Sequence, residues 1–224
     1  MSVAVPQVFL LSPAYCGGKR AKMLMNPRAT FNLALRLRNG TLTIGEAFSF
    51  MSGLYFRGKL AYAERFGRLP DRLASALVIT PSAGLRPAGT VVTAHELSAF
   101  ADVDVHEDDE RYRRPLDRDL AALHTVLPPE ARIILLGSIA TQKYVDALVA
   151  LVGPRLHYPP SFIGRGDMSR GGLLLRAARA GMELDYAPLD PSASRRGARP
   201  PKLEPIGVRQ VRLVRHVRLV RGTN

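Results

Sequence analysis

One cysteine, Cys16, stands in 224 residues, so the chain has no internal disulfide framework and fits a reducing compartment. No apolar run approaches the ~18–20 residues that a helical membrane span needs. Residues 1–6 lack a basic flank followed by a signal-length apolar stretch, so a cytoplasmic location is expected. The Gly-x-x-x-x-Gly-Lys-Ser/Thr phosphate loop is missing, and the glycines around Gly164 do not have the Gly-x-Gly-x-x-Gly spacing. A nucleoside triphosphatase or a dinucleotide oxidoreductase is therefore disfavoured. Acidic residues are in short supply, 19 against 32 basic. Their one dense run, His106-Glu107-Asp108-Asp109-Glu110, matches no zinc or calcium spacing, and consecutive acids cannot all face one ion. It reads as a solvated loop that offsets the basic body. No metal and no other cofactor is expected.

Positive charge is what the chain has in excess. The net charge is +13, and residues 187–224 hold nine basic residues against two acidic ones. This balance favours polyanion partners, nucleic acid or a nucleotide before an anionic membrane. A solvated arginine-rich surface would account for the same numbers without any partner. Residues 188–207 are dominated by Pro, Ser, Arg and Gly, the composition of a linker. Residues 208–224 then repeat Val-Arg-x, placing Arg209, Arg212, Arg215, Arg218 and Arg221 at a period of three. That period matches neither a helix nor a strand. The tail is expected to be disordered alone and to order on a polyanion.

Ahead of the tail, apolar runs at 7–12, 76–80 and 132–137 predict buried strands, with shorter ones at 156–159 and 183–187. Helical spacing covers 31–38, 54–66 and 116–127, with a further helix reaching 152. Thr43-Ile44-Gly45-Glu46 has the form of a capping box that opens a helix through Phe50. Strands without period-two alternation, interleaved with helices, argue for a single three-layer α/β domain over 1–187 with a mostly parallel sheet. A helical unit at about 28–66 is inserted after the first strand, and the basic extension follows the domain.

The most informative segment is 162–172, Phe-Ile-Gly-Arg-Gly-Asp-Met-Ser-Arg-Gly-Gly, directly before an apolar helical run. Glycines let backbone amides approach a ligand, and a helix start offers unpaired N–H groups to an anion. Residues 11–20 and 137–143 share its plan of strand, small-residue loop and helix. In open α/β sheets ligands bind outside the carboxyl ends of the strands. Ser12, Lys19, Arg20, Ser138, Thr141, Lys143, Arg165, Asp167, Ser169 and Arg170 are therefore expected to converge on one cleft. Hydroxyls, amides and cations would hold an anionic ligand there. Asp167 is the candidate catalytic carboxylate, with Ser12 beside it to orient the ligand. The competing reading makes the same residues caps and connections, and makes Asp167 a partner that fixes the arginines.

Two other features carry chemistry. Tyr55, Arg57 and Lys59 mix an aromatic with cations on one helix and suit a nucleic-acid face, although Leu54, Phe56 and Leu60 there read equally well as core. With the arginine tail they would make a non-catalytic DNA- or RNA-binding module. Cys16 precedes two glycines at a helix entry, with Lys19 and Arg20 nearby, a setting that activates a thiol. It is the candidate nucleophile of a small-molecule enzyme, against the plainer reading of a small apolar residue.

Three short patterns combine: Ser12-Pro13-Ala14-Tyr15-Cys16-Gly17-Gly18-Lys19-Arg20-Ala21 after the first strand, Leu54-Tyr55-Phe56-Arg57-Gly58-Lys59, and Thr80-Pro81-Ser82-Ala83-Gly84-Leu85. Over about 7–186 this layout resembles the YaaA-like and uracil-DNA-glycosylase-like group of α/β proteins. The resemblance implies a three-layer α/β fold acting on nucleobases or nucleic acid. The leading expectation is a nucleic-acid- or nucleotide-binding protein that acts on an N-glycosidic bond at the strand-end cleft. The chain has no water-activating glycosylase motif at its first strand and no alignable His-containing motif. No catalytic residue is carried over from the group.

Overall fold

The computed structural model describes residues 5–70, 73–139, 145–189, 197–201 and 203. The chain begins with strand β1 (Gln7–Leu11) and four helices: α1 (Lys19–Met25), α2 (Asn32–Arg38), α3 (Ile44–Ser52) and α4 (Leu54–Phe66). Strands β2 (Ala76–Ile79) and β3 (Leu85–Pro87) follow, then helices α5 (Ala94–Ala101) and α6 (Glu110–Val126). Strand β4 (Arg132–Leu136), helix α7 (Val145–Val152), strand β5 (Leu156–Tyr158), helix α8 (Asp167–Ala180) and strand β6 (Ala187–Pro188) complete the order.

The sheet runs β3-β2-β1-β4-β5-β6. Its four central strands are parallel, and the two edge strands pair antiparallel. The sheet is thus mixed, on an α/β plan. Strand β1 is buried along its whole length because helices cover both faces. Phe9 and Leu11 point into the core shared with α3, α4, α5 and α8, and Val8 and Leu10 into the one shared with α6 and α7. Among the described residues no helix is long and apolar enough to cross a membrane.

Local chemistry explains most boundaries. The Thr43 hydroxyl accepts from the Glu46 amide, and Glu46 returns the bond to the Thr43 amide, so α3 opens on a complete capping box. Thr93 and Glu96 repeat the device at α5, a helix the spacing of apolar residues does not predict. The acidic run is divided: His106 pairs with Asp108 at the surface, while Asp109 caps α6, six residues before the predicted start at 116. The final strand lies at 187–188 rather than 183–187. Residues 182–186 form instead a polar seam, where the Tyr62 hydroxyl accepts from the Leu184 amide at 2.7 Å and meets the Tyr186 hydroxyl at 2.7 Å. Pro188 and Leu189, at the start of the expected linker, belong to the sheet edge, with Leu189 buried. The Val-Arg-x tail, with Arg209, Arg212, Arg215 and Arg218, lies outside the described residues, as do Thr141 and Lys143.

Helices α4 and α8 pack at unusually short range. A Cβ on Gly58 would stand 2.6 Å from the Gly171 carbonyl oxygen, and one on Gly171 would stand 2.7 Å from the Leu54 carbonyl oxygen and the Tyr55 Cα. Paired glycines therefore let the two backbones touch, and they place the N-terminal part of α8 against the N-terminal part of α4.

Candidate functional site

The chain runs from β1 to β2 on one side of β1 and later returns to β4 on the other. The carboxyl ends of β1 and β4 therefore flank the point where the winding reverses, the usual crevice of an open α/β sheet. A cavity of about 460 Å³ opens there, a size that suits a small organic ligand. Ser12 leaves β1 into it and Ser138 leaves β4 into it. Its walls include Lys19 and Arg20 of α1, Ser52 and Tyr55 near the α3–α4 junction, and Asp167 at the start of α8. Tyr15 stands at the rim, 78% exposed.

Beneath the lining residue Ser12 lies Lys59, 1% exposed. Its Nζ donates to the Ser12 carbonyl oxygen at 2.5 Å and to Ser12 Oγ at 2.9 Å. It also lies 4.4 Å from the Tyr55 ring centroid and 4.8 Å from that of Phe56. Removal from water pushes its ammonium from the ordinary 10.5 down to about 7; the charge of Asp167 opposes that fall and the charge of Arg170 adds to it. Arg170 is itself buried. Its Nε donates to the Phe162 carbonyl oxygen at 3.2 Å, and its Nη1 lies 3.5 Å from the Asp167 carboxylate. The Asp167 side chain remains 68% exposed.

Five of the ten residues expected to converge do line the cavity: Ser12, Lys19, Arg20, Ser138 and Asp167. Arg170 supports Asp167 from behind. Arg165 and Ser169 do not join them. The Arg165 guanidinium donates to the Ser161 carbonyl, the Ser169 hydroxyl and the Pro201 carbonyl, so Arg165 holds Pro201 against the turn and Ser169 steadies Arg165. The glycine-rich segment is also less of a loop than its composition predicts. Gly164 makes the turn with a φ of +71°, Gly166 caps α8, and Gly171 is a helix-packing residue.

The helix expected to carry a nucleic-acid face turns two of its three candidates inward. Tyr55 is buried in the cavity wall and Lys59 is buried beneath Ser12, and only Arg57 is exposed. Cys16 is the other correction. It is 2% exposed, its Sγ donates to the Ala14 carbonyl oxygen, and burial pushes the thiol up to about 12. That is the opposite of an activated nucleophile. The sequence reading missed Tyr15 at the rim and the contact of Lys59 with Ser12; the one sequence signal for the latter was Gly58, whose missing side chain admits α8.

Among the described residues no group of three or more His, Cys, Asp or Glu is placed to hold a metal ion. The arrangement offers positive charge on one wall, an open carboxylate, hydroxyls from two strand ends and an aromatic rim. No protein-family model matches the chain, and no curated protein or solved structure gives a match. The class is therefore set by fold and cleft together: an open α/β protein with a polar, cation-walled crevice at its switch point.

Proposed function

We propose that the crevice binds a nucleotide, free or as one unit of a nucleic acid, and that the protein acts on its N-glycosidic bond. The observation that carries this reading is the placement of two exposed cations, Lys19 and Arg20, in one cavity with the open carboxylate of Asp167. Lys19 and Arg20 take the phosphate by charge-assisted hydrogen bonds. Tyr15 offers its ring to the base. Cleavage of an N-glycosidic bond builds positive charge on the sugar, and Asp167 stabilises it, held in place by Arg170. Ser12 and Ser138 orient the sugar between them. The +13 net charge is consistent with a polyanionic substrate.

The test is a binding panel of mononucleotides, single-stranded DNA, duplex DNA and RNA, followed by assays for released base. Asp167→Asn is expected to retain ligand affinity and to lose turnover by a hundredfold or more, on the order of what a positioned charge supplies. Turnover at the wild-type rate in that variant removes Asp167 from the reaction. Failure of every nucleotide to bind in the cavity ends the proposal as a whole.

A further inference from the structure

Behind the lining of the crevice lies a lysine that nucleotide binding does not use, paired with a serine that the crevice presents. Ser12 is a lining residue of the cavity, and the buried Lys59 amine lies 2.9 Å from its Oγ. A hydroxyl nucleophile needs a base within hydrogen-bond reach that is itself held in place. Lys59 meets both conditions. Its Nζ is fixed by the Ser12 carbonyl oxygen and by the faces of two aromatic rings. Lys59 has almost no exposure and is not itself a lining residue, so the member of the pair that a ligand meets first is the serine.

We propose that Ser12 and Lys59 form a nucleophile–base pair with acyl-transfer activity toward carboxylic esters or thioesters bearing an anionic group. The neutral amine of Lys59 takes the Ser12 hydroxyl proton as Oγ bonds to the carbonyl carbon. Collapse of the tetrahedral adduct breaks the bond to the leaving alcohol or thiol, which receives that proton from the Lys59 ammonium. Water then attacks the acyl-serine as Lys59 again accepts a proton, and collapse of that adduct breaks the acyl–Oγ bond, releases the carboxylic acid and returns the proton from the Lys59 ammonium to Ser12 Oγ. No other reactant is required. Lys19 and Arg20, in the same cavity, meet the anionic group of the substrate. The charged groups that face Lys59 are Asp167 and Arg170 of α8, which act on it in opposite senses. Its burial leaves the amine partly neutral near pH 7, as a base in this role must be. This activity draws on the same Ser12, Lys19 and Arg20 as the nucleotide reading but does not depend on a nucleotide being the ligand.

The experiment is labelling of the full-length protein with a fluorophosphonate, which phosphonylates an activated serine, with the site identified by peptide mass spectrometry. Labelling at Ser12 is expected, at a rate that rises as pH is raised through about 7 and levels above it, the profile of a base losing its proton. Ser12→Ala is expected to abolish the label. Lys59→Met, which fills the same space, is expected to slow it by about a hundredfold or more while circular dichroism remains native. The wild-type profile decides the matter even where the lysine variant fails to fold. Absence of label at Ser12 in the native protein, a rate indifferent to pH, or a folded Lys59→Met that labels at the wild-type rate each overturns the proposal.

Discussion

Lys59 also leaves a mark on stability. Its ammonium titrates at about 7 in the folded protein and at 10.5 in the ordinary state. Between those values the unfolded chain binds more protons, so folding free energy becomes more favourable as pH rises. Cys16 works in the other direction. Its thiol is held up at about 12 against 9.0, so above pH 9.0 the unfolded chain gives up its proton first and stability falls. The expected curve climbs from about pH 7 to about pH 9 and then flattens. Urea midpoints across that range check it, and in Lys59→Met the climb should vanish. A climb of the same size in the variant assigns the effect elsewhere. Glu46 adds an acid-side term. The Arg36 guanidinium, helped by Thr43, holds its carboxyl down at about 2, so the stability it contributes is present above its ordinary 4.5 and lost as pH falls toward 2.

Helices α4 and α8 set the geometry of the crevice, because one carries Lys59 and Tyr55 and the other carries Arg170 and Asp167. Their glycine contact leaves no room for a methyl group. Gly171→Ala, whose Cβ would meet backbone at 2.7 Å, is expected to cost about 1–3 kcal/mol and to move Asp167 relative to Lys59. A thermal melt reads the first effect and the turnover or labelling rate reads the second. Thr43→Ala, at a helix start away from the crevice, should cost about 1 kcal/mol and leave the cavity chemistry unchanged. At this scale the sequence is uneven to read. Strands β1 and β4 are legible because both faces are buried and their runs are continuously apolar. Helix α4 is legible because glycines bound it at 53 and 67. Helix α5 goes unseen although Thr93 and Glu96 repeat the signature of Thr43 and Glu46, and the early turns of α6 are masked by acidic residues and by Pro115 within the helix. Gly171 and Gly172 look like loop residues because their helical role depends on what packs against them. The same dependence hides Lys59. Apart from Gly58 beside it, nothing local distinguishes a solvated lysine from one buried under α8, whereas Ser12, Ser138 and Asp167 stand at strand and helix ends that can be located from sequence alone.

For the whole molecule, charge is the variable that experiment can separate from shape. The five arginines of the Val-Arg-x repeat all lie beyond residue 205, so a 1–205 truncation removes them together. If they contact phosphate, the slope of log affinity against log salt for duplex DNA should fall by up to about 4.5, or 0.9 per lost contact. An unchanged slope would assign duplex binding to the folded body. The place where the extension begins has a mechanical consequence. Arg165 clips the Pro201 carbonyl, and Leu203 lines a groove that Asp167 also lines. Residues 204–224 reach at most about 75 Å from Leu203. A polymer gripped anywhere along them is thus tethered beside the carboxylate, and its units sample the crevice at an effective local concentration that reaches millimolar for a short leash. A crevice that grips a lone nucleotide only weakly would still be occupied on a captured strand, and its own affinity is the one measured after the leash is cut.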